Sequence, residues 1–164
     1  MANICRTEIK IKANEAAIKD FALRYEACND GSYPNEQDSP HIIDEFGAQA
    51  ELLIDRIGSK WIKMYDSWPY WEEGMTEYDF ALESASYYPS DMMNEIYRQL
   101  TAIDPNAEME GRYWDEGFYP IGVFKYVDGK LVTFEEDVDV DEDEEYYWDD
   151  QIEPVFDKLN ENFG

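Results

Sequence analysis

Near the start of the chain Thr7, Ile9, Ile11 and Ala13 alternate with Arg6, Glu8, Lys10 and Lys12, the period of a strand with one buried face. Asn14 stands where it can cap a helix, and Ile18, Phe21, Ala22 and Tyr25 then recur at i, i+3, i+4 and i+7. A stretch rich in Gly, Ser, Pro, Asn and Asp from Asn29 to Pro40 reads as a loop. The short apolar run of Ala50, Leu52, Leu53, Ile54 and Ile57, bounded by Gly47 and Gly58, predicts a strand. Trp61, Trp68, Tyr70 and Trp71 follow in an irregular setting, after which Tyr78, Phe80 and Leu82 alternate with Glu77, Asp79 and Glu83 as the clearest strand in the chain.

Pro89, Ser90 and Asp91 open a second helix with Met93, Ile96, Tyr97, Leu100 and Ile103 on one face, and Asp104-Pro105-Asn106 stops it. Strands are then expected from Met109 to Trp114, Ile121 to Val127 and Lys130 to Phe134, with Asp128-Gly129 as the two-residue signal of a type I′ hairpin. Ile152, Val155, Phe156, Leu159 and Phe163 fit one face of a last helix, which must begin near Pro154. The order is strand, helix, strand, strand, helix, strand, and it predicts an α+β fold: a ferredoxin-like split βαβ antiparallel sheet with two helices on one face. To this are added a C-terminal hairpin, an acidic segment and a helix. The other sheet face is open to solvent unless the C-terminal helix or the Trp-rich segment covers it.

Several of these segments resemble the YubB-type ferredoxin-like domains of phages, plasmids and bacterial genomes. Met1-Ala2-Asn3 followed by Cys5 is similar to that family's opening strand of Met, a small residue, Asn, Trp and Cys, with Ile4 in place of the Trp. Ile57-Gly58-Ser59-Lys60-Trp61 resembles its Trp-Gly-Thr-Lys-Trp segment, and Ser84 to Pro89 its turn into the second helix. Gly111, Gly122 and the Asp128-Gly129 hairpin match its C-terminal strands in outline. The resemblance spans residues 1–135 and implies a fold and a home, an accessory protein of a mobile element, but no activity and no functional residues. Residues 136–164, the acidic segment and the last helix, lie outside it and are expected to pack on or beside the same domain.

Composition sharpens this picture. The chain has 164 residues, 13 Lys+Arg and 39 Asp+Glu, for a formal net charge of −26. That length suits one domain with a real core, and 44% apolar with 16% aromatic residues argues against wholesale disorder. Phosphate backbones and anionic lipids repel so acidic a chain, which excludes direct nucleic-acid and membrane partners. No apolar run approaches a membrane span and MANICRTEIKIK lacks the apolar stretch of a signal peptide, so a soluble, cytoplasmic protein is expected. Cys5 and Cys28 are too few for a disulfide framework and read as reduced thiols. The charge is uneven: residues 1–63 hold 11 acids and 8 bases, residues 64–164 hold 28 acids and 5 bases.

The densest stretch is Glu135, Glu136, Asp137, Val138, Asp139, Val140, Asp141, Glu142, Asp143, Glu144, Glu145, Tyr146, Tyr147, Trp148, Asp149 and Asp150, eleven acids among sixteen residues. It reads either as a solvated extension or as a surface for a basic site on another protein, with Tyr146, Tyr147 and Trp148 as anchors beside steering charges. Asp139, Asp141, Asp143 and Asp150 fall at positions 1, 3, 5 and 12 of a calcium loop, but Glu144 replaces the glycine of position 6 and Asp150 the bidentate Glu, which makes them a weak metal candidate. No catalytic residue and no cofactor are expected. His41 is the only imidazole and has no nucleophile motif beside it, and Gly58-Ser59-Lys60 lacks the upstream glycine of a phosphate loop. The expectation is therefore a non-enzymatic, phage-type acidic inhibitor. By mimicking DNA it would occupy the basic surface of a host nucleic-acid-handling or defence protein. The rival is a structural or regulatory module whose aromatic face, built from Trp61, Trp68, Tyr70 and Trp71 with Tyr87, Tyr88, Tyr113 and Trp114, binds a partner or a second copy.

Overall fold

The structure, a computed structural model, describes residues 3–25, 63–64, 71–85 and 87–164. The strand expected at Ala50–Ile57, together with Cys28, His41, Trp61, Trp68, Tyr70 and the Ile57–Trp61 segment, lies outside these residues. In chain order the elements are β1 (Ile4–Lys12), α1 (Glu15–Tyr25), β2 (Lys63–Met64), β3 (Glu77–Ala85), α2 (Ser90–Ile103), β4 (Glu108–Asp115), β5 (Ile121–Val127), β6 (Lys130–Glu136) and α3 (Glu153–Asn160). The strands form one antiparallel sheet in the order β2-β3-β1-β4-β5-β6. The first four positions of that order, with α1 and α2 between their strands, are compatible with a ferredoxin-like arrangement, and the β5–β6 hairpin extends the sheet beyond β4.

The alternation seen in the sequence decides which side chains meet the helices. Cys5, Ile9 and Ile11 of β1 and Tyr78, Phe80 and Leu82 of β3 are buried, and they pack with Ile18 and Phe21 of α1 and Met92, Met93, Ile96 and Leu100 of α2. Asn14 caps α1, its Oδ1 accepting the Ala17 N–H at 2.9 Å. Pro89 precedes α2 without a side-chain cap.

Two glycines let the aromatic layer lie flat on the sheet. Gly122 stands opposite Tyr113, and a Cβ there would come within 2.1 Å of the Tyr113 ring; Gly111 stands opposite Phe124, where a Cβ would meet the ring at 2.6 Å and the Glu8 carbonyl oxygen at 2.4 Å. Tyr88 then stacks on Tyr113 at 4.1 Å and on Phe124 at 5.4 Å. The Asp128-Gly129 turn takes the positive φ angles, 52° and 80°, that a type I′ hairpin requires.

The opposite face of the sheet is divided. Over β4, β5 and β6 a second core forms from Phe118, Ile121, Val123, Ile152, Phe156 and Leu159, joined by Trp114, Phe134, Val138, Val140, Tyr147, Trp148, Val155 and Phe163. The C-terminal segment supplies most of it. Burial of a side chain such as Ile152 or Phe156 stabilises the fold by about 1.5–3 kcal/mol, and the apolar residues of 137–164 together fasten that segment to the sheet. Over β1 and β3 the same face keeps an open trough of about 800 Å³, bordered by Arg6, Lys10, Arg112, Lys125 and Phe163. Charges alternate across its floor in strand register, Asp79–Lys10–Glu110–Lys125, so its basic side chains face acids of neighbouring strands.

Candidate functional site

The acidic run begins inside the sheet. Glu135 and Glu136 close β6, and the Glu135 carboxylate accepts hydrogen bonds from the Tyr87 hydroxyl, at 2.8 Å, and from the Tyr113 hydroxyl. Past β6 the chain stays extended, because Val138 and Val140 alternate with Asp137, Asp139 and Asp141. The valines pack into the second core and the aspartates are exposed. The Val138 N–H donates to the Phe118 carbonyl at 3.0 Å, and Phe118 takes a left-handed backbone conformation, φ 63°, with its own ring buried in that core.

Asp141 then turns the chain. Its Oδ1 accepts the Asp143 N–H at 3.2 Å, and its carbonyl accepts the Glu144 N–H at 3.2 Å. Gln151 braces the turn from the other side: its Oε1 accepts the Asp141 N–H at 2.9 Å while its Nε2 donates to the Asp141 carbonyl at 3.1 Å and to Glu144 Oε2 at 2.8 Å. Glu142, Asp143, Glu144, Glu145 and Tyr146 form the exposed tip, and Asp149 and Asp150 are exposed on the π-helical turn Trp148–Ile152 that leads into α3.

The three aromatics expected as partner anchors divide. Tyr147 and Trp148 turn inward, Trp148 lying 5.0 Å from Trp114 and 6.2 Å from Phe118, whereas Tyr146 stays 62% exposed. Trp148 Nε1 donates to Glu153 Oε1 at 2.8 Å. Glu153 also takes Arg112 Nη1 on both oxygens, at 2.9 and 3.0 Å, and Arg112 Nε reaches Glu8 at 2.8 Å while its guanidinium lies 4.8 Å over the Phe156 ring. Partial burial pushes the Glu153 carboxyl up, but the hydrogen bonds from Trp148 and Arg112 outweigh it and hold the group below the usual carboxylate range. Arg112 thus joins β4 to β1 and α3. Its role carries no signal in the sequence, where it is one cation between Gly111 and Tyr113.

Among the described residues no Lys or Arg forms an ion pair with any carboxylate from Glu135 to Asp150; the ion pairs there involve Glu8, Asp20, Glu73, Glu77, Glu95 and Glu153. The run is therefore an ordered ridge of uncompensated charge. It does not gather into a metal site: among the described residues no three metal-ligating side chains converge, and Asp141, central to the calcium-loop pattern, spends a carboxylate oxygen on its own turn.

A buried polar cluster lies at the C-terminal end of β4, close to where the acidic run leaves β6. Asp115, only 2% exposed, accepts the Gly117 N–H at 2.8 Å and the Asn3 side-chain amide at 3.2 Å. Cys5 is wholly buried beside it; burial, then the Asp115 charge, pushes its thiol up to about 12, which is the opposite of an activated nucleophile. Burial and the bond to Glu135 likewise hold the Tyr113 phenol in its neutral form. No helix among the described residues is long and apolar enough to cross a membrane. The chain matches no family model, no curated protein and no solved structure in the comparisons made with known proteins.

Proposed function

We propose that this protein is a non-enzymatic acidic binding protein of phage or mobile-element type, built on a ferredoxin-like core. It occupies the basic surface of a host nucleic-acid-handling or defence protein. The observation that carries this reading is the uncompensated acidic ridge held in fixed geometry. Asp137, Asp139 and Asp141 recur every second residue on an extended segment, about 6.7 Å apart, and Glu142 to Glu145 crowd the tip. Carboxylates so placed stand in for phosphates, steer a basic partner and displace its bound counter-ions. Of the residues of the aromatic-face alternative, Tyr88, Tyr113 and Trp114 pack into the two cores and Trp71 and Tyr87 pack against the first, while Trp61, Trp68 and Tyr70 lie outside the described residues, so the acidic ridge is the feature with geometry to argue from.

The test uses capture from nuclease-treated host lysate at salt of about 0.1 M and about 1 M, between which the Debye length falls from about 10 Å to about 3 Å. A variant carrying D137N, D139N, E142Q, D143N, E144Q and E145Q serves as the comparison, with Asp141 kept for its turn. Nucleic-acid-binding proteins retained at low salt, released at high salt and absent from the variant are the expected result. Retention that neither salt nor neutralisation reduces overturns the reading.

A further inference from the structure

The β5–β6 hairpin determines more than the sheet's width. In a two-residue hairpin the residues flanking the turn exchange both backbone hydrogen bonds, and bonded pairs then alternate with unbonded ones. With Val127 opposite Lys130, the bonded pairs are Val127–Lys130, Lys125–Val132, Val123–Phe134 and Ile121–Glu136. The N–H and C=O groups of Leu131, Thr133 and Glu135 therefore point away from β5. Val138, whose N–H bonds to Phe118, keeps the inward phase past the end of the strand, so Asp137 and Asp139 continue the outward one. Among the described residues the Asp137 and Asp139 N–H groups have no backbone acceptor, and β6 is the terminal strand of the sheet.

Of the devices that discourage pairing, this edge carries acidic side chains at its C-terminal half. It has no proline and its residues from Leu131 to Phe134 are only partly buried. Its charge decides the occupant. A second copy brings its own net charge of −26 to the edge, and paired about Asp137 it would set Asp137 opposite Asp137 and Glu135 opposite Asp139, like charges that destabilise pairing. A basic strand has the reverse sign at every one of those positions.

We infer that the outer edge from Leu131 to Asp139 is a strand-addition site for an extended segment bearing Lys or Arg at alternate positions, paired antiparallel so that the basic residues stand opposite Glu135, Asp137 and Asp139. This rests on the acidic-ridge reading and adds how the partner engages it: backbone hydrogen bonds supply the affinity and the alternating charge supplies the selection.

The probe is an end-blocked nonapeptide in which Lys alternates with Val and Thr, titrated into the full chain while backbone amide exchange is followed by NMR. Two controls accompany it: the same peptide N-methylated at its lysine amides, and a peptide of the same composition with its lysines contiguous. Binding of the alternating peptide is expected to slow exchange at Leu131, Thr133, Glu135, Asp137 and Asp139, and both controls should bind at least about tenfold more weakly. Asp137→Pro, which removes one outward N–H, should weaken the peptide by at least about tenfold, whereas Asp137→Asn, which removes only the charge, should weaken it by no more than about fivefold. Equal binding of all three peptides refutes strand addition and leaves the acidic ridge as a purely electrostatic surface. Absence of peptide binding, with salt-releasable capture still lost on neutralisation, refutes strand addition alone. Salt-insensitive capture is the separate failure of the underlying reading.

Discussion

Arg112 holds three elements together, and replacing it by Met tests whether the C-terminal segment is fastened by that one side chain. The substitution keeps the aliphatic contacts and removes two partners at once, Glu8 on β1 and Glu153 on α3. The side chains involved are about one-third exposed, 31% for Arg112 against 38% and 35% for the two glutamates, so solvent screens them. Exposed pairs contribute about 0.2–1 kcal/mol each, and the guanidinium over Phe156 adds about 0.5–1 kcal/mol. The expected loss is therefore about 1–3 kcal/mol, read as a shift of the urea midpoint with unchanged slope by Trp fluorescence at neutral pH. The loss should also be local: cleavage by a Glu-specific protease at Glu142, Glu144 and Glu145 should speed up, because loosening α3 releases the turn that Gln151 braces. Glu153→Gln in the same background should cost less than it does alone, since its main partner is already gone. A midpoint shift below about 0.3 kcal/mol, or strictly additive losses, refutes Arg112 as the fastening.

Two further outcomes follow from the aromatic layer. Gly122→Ala would push a methyl into the Tyr113 ring, which is wholly inaccessible and stacked under Tyr88, so a loss near the upper end of the usual overpacking range, about 3 kcal/mol, is expected in urea unfolding; an unchanged midpoint would mean that the ring swings away freely. Burial raises the Tyr113 and Tyr126 phenols above their ordinary value, so the stability they contribute is complete below about pH 10 and falls as pH rises beyond it, by about 1.4 kcal/mol per pH unit for each group that ionises only on unfolding. Half-buried Tyr87 shifts the same way but contributes less because solvent screens it. Unfolding midpoints measured from pH 8 to 11 should decline above pH 10, and Tyr113→Phe should flatten the decline; a flat profile for the parent chain contradicts the linkage.

Periodicity makes most elements legible in the sequence alone. The alternation in β1 and β3, the Asn14 cap and the Asp128-Gly129 turn all survive in place, because each is a local preference that tertiary packing reinforces. The ends of strands moved outward, β4 to Glu108–Asp115 and β6 to Glu136, since ladder bonds continue past the last apolar side chain. The C-terminal segment was harder. Val138 and Val140 alternate with aspartates as in any half-buried strand, yet the density of charge around them hides the period. Tyr147 and Trp148 look like exposed anchors until the open half of the sheet face is known to need covering. Arg112 and the Tyr87–Tyr113–Glu135 cluster depend on which strands are neighbours, which no local pattern encodes.

The alternation of valine and aspartate between Asp137 and Asp141 also sets how this stretch can drift. The outward positions 137 and 139 answer to charge, so Asp and Glu exchange there, whereas Asp141 also holds the turn that Gln151 braces. Inward positions answer to shape, so Val138 and Val140 accept little beyond Ile or Leu. A segment that looks like low-complexity acid therefore carries its inheritance in two small apolar residues, and relatives that have lost every individual carboxylate position would still be recognisable by their spacing.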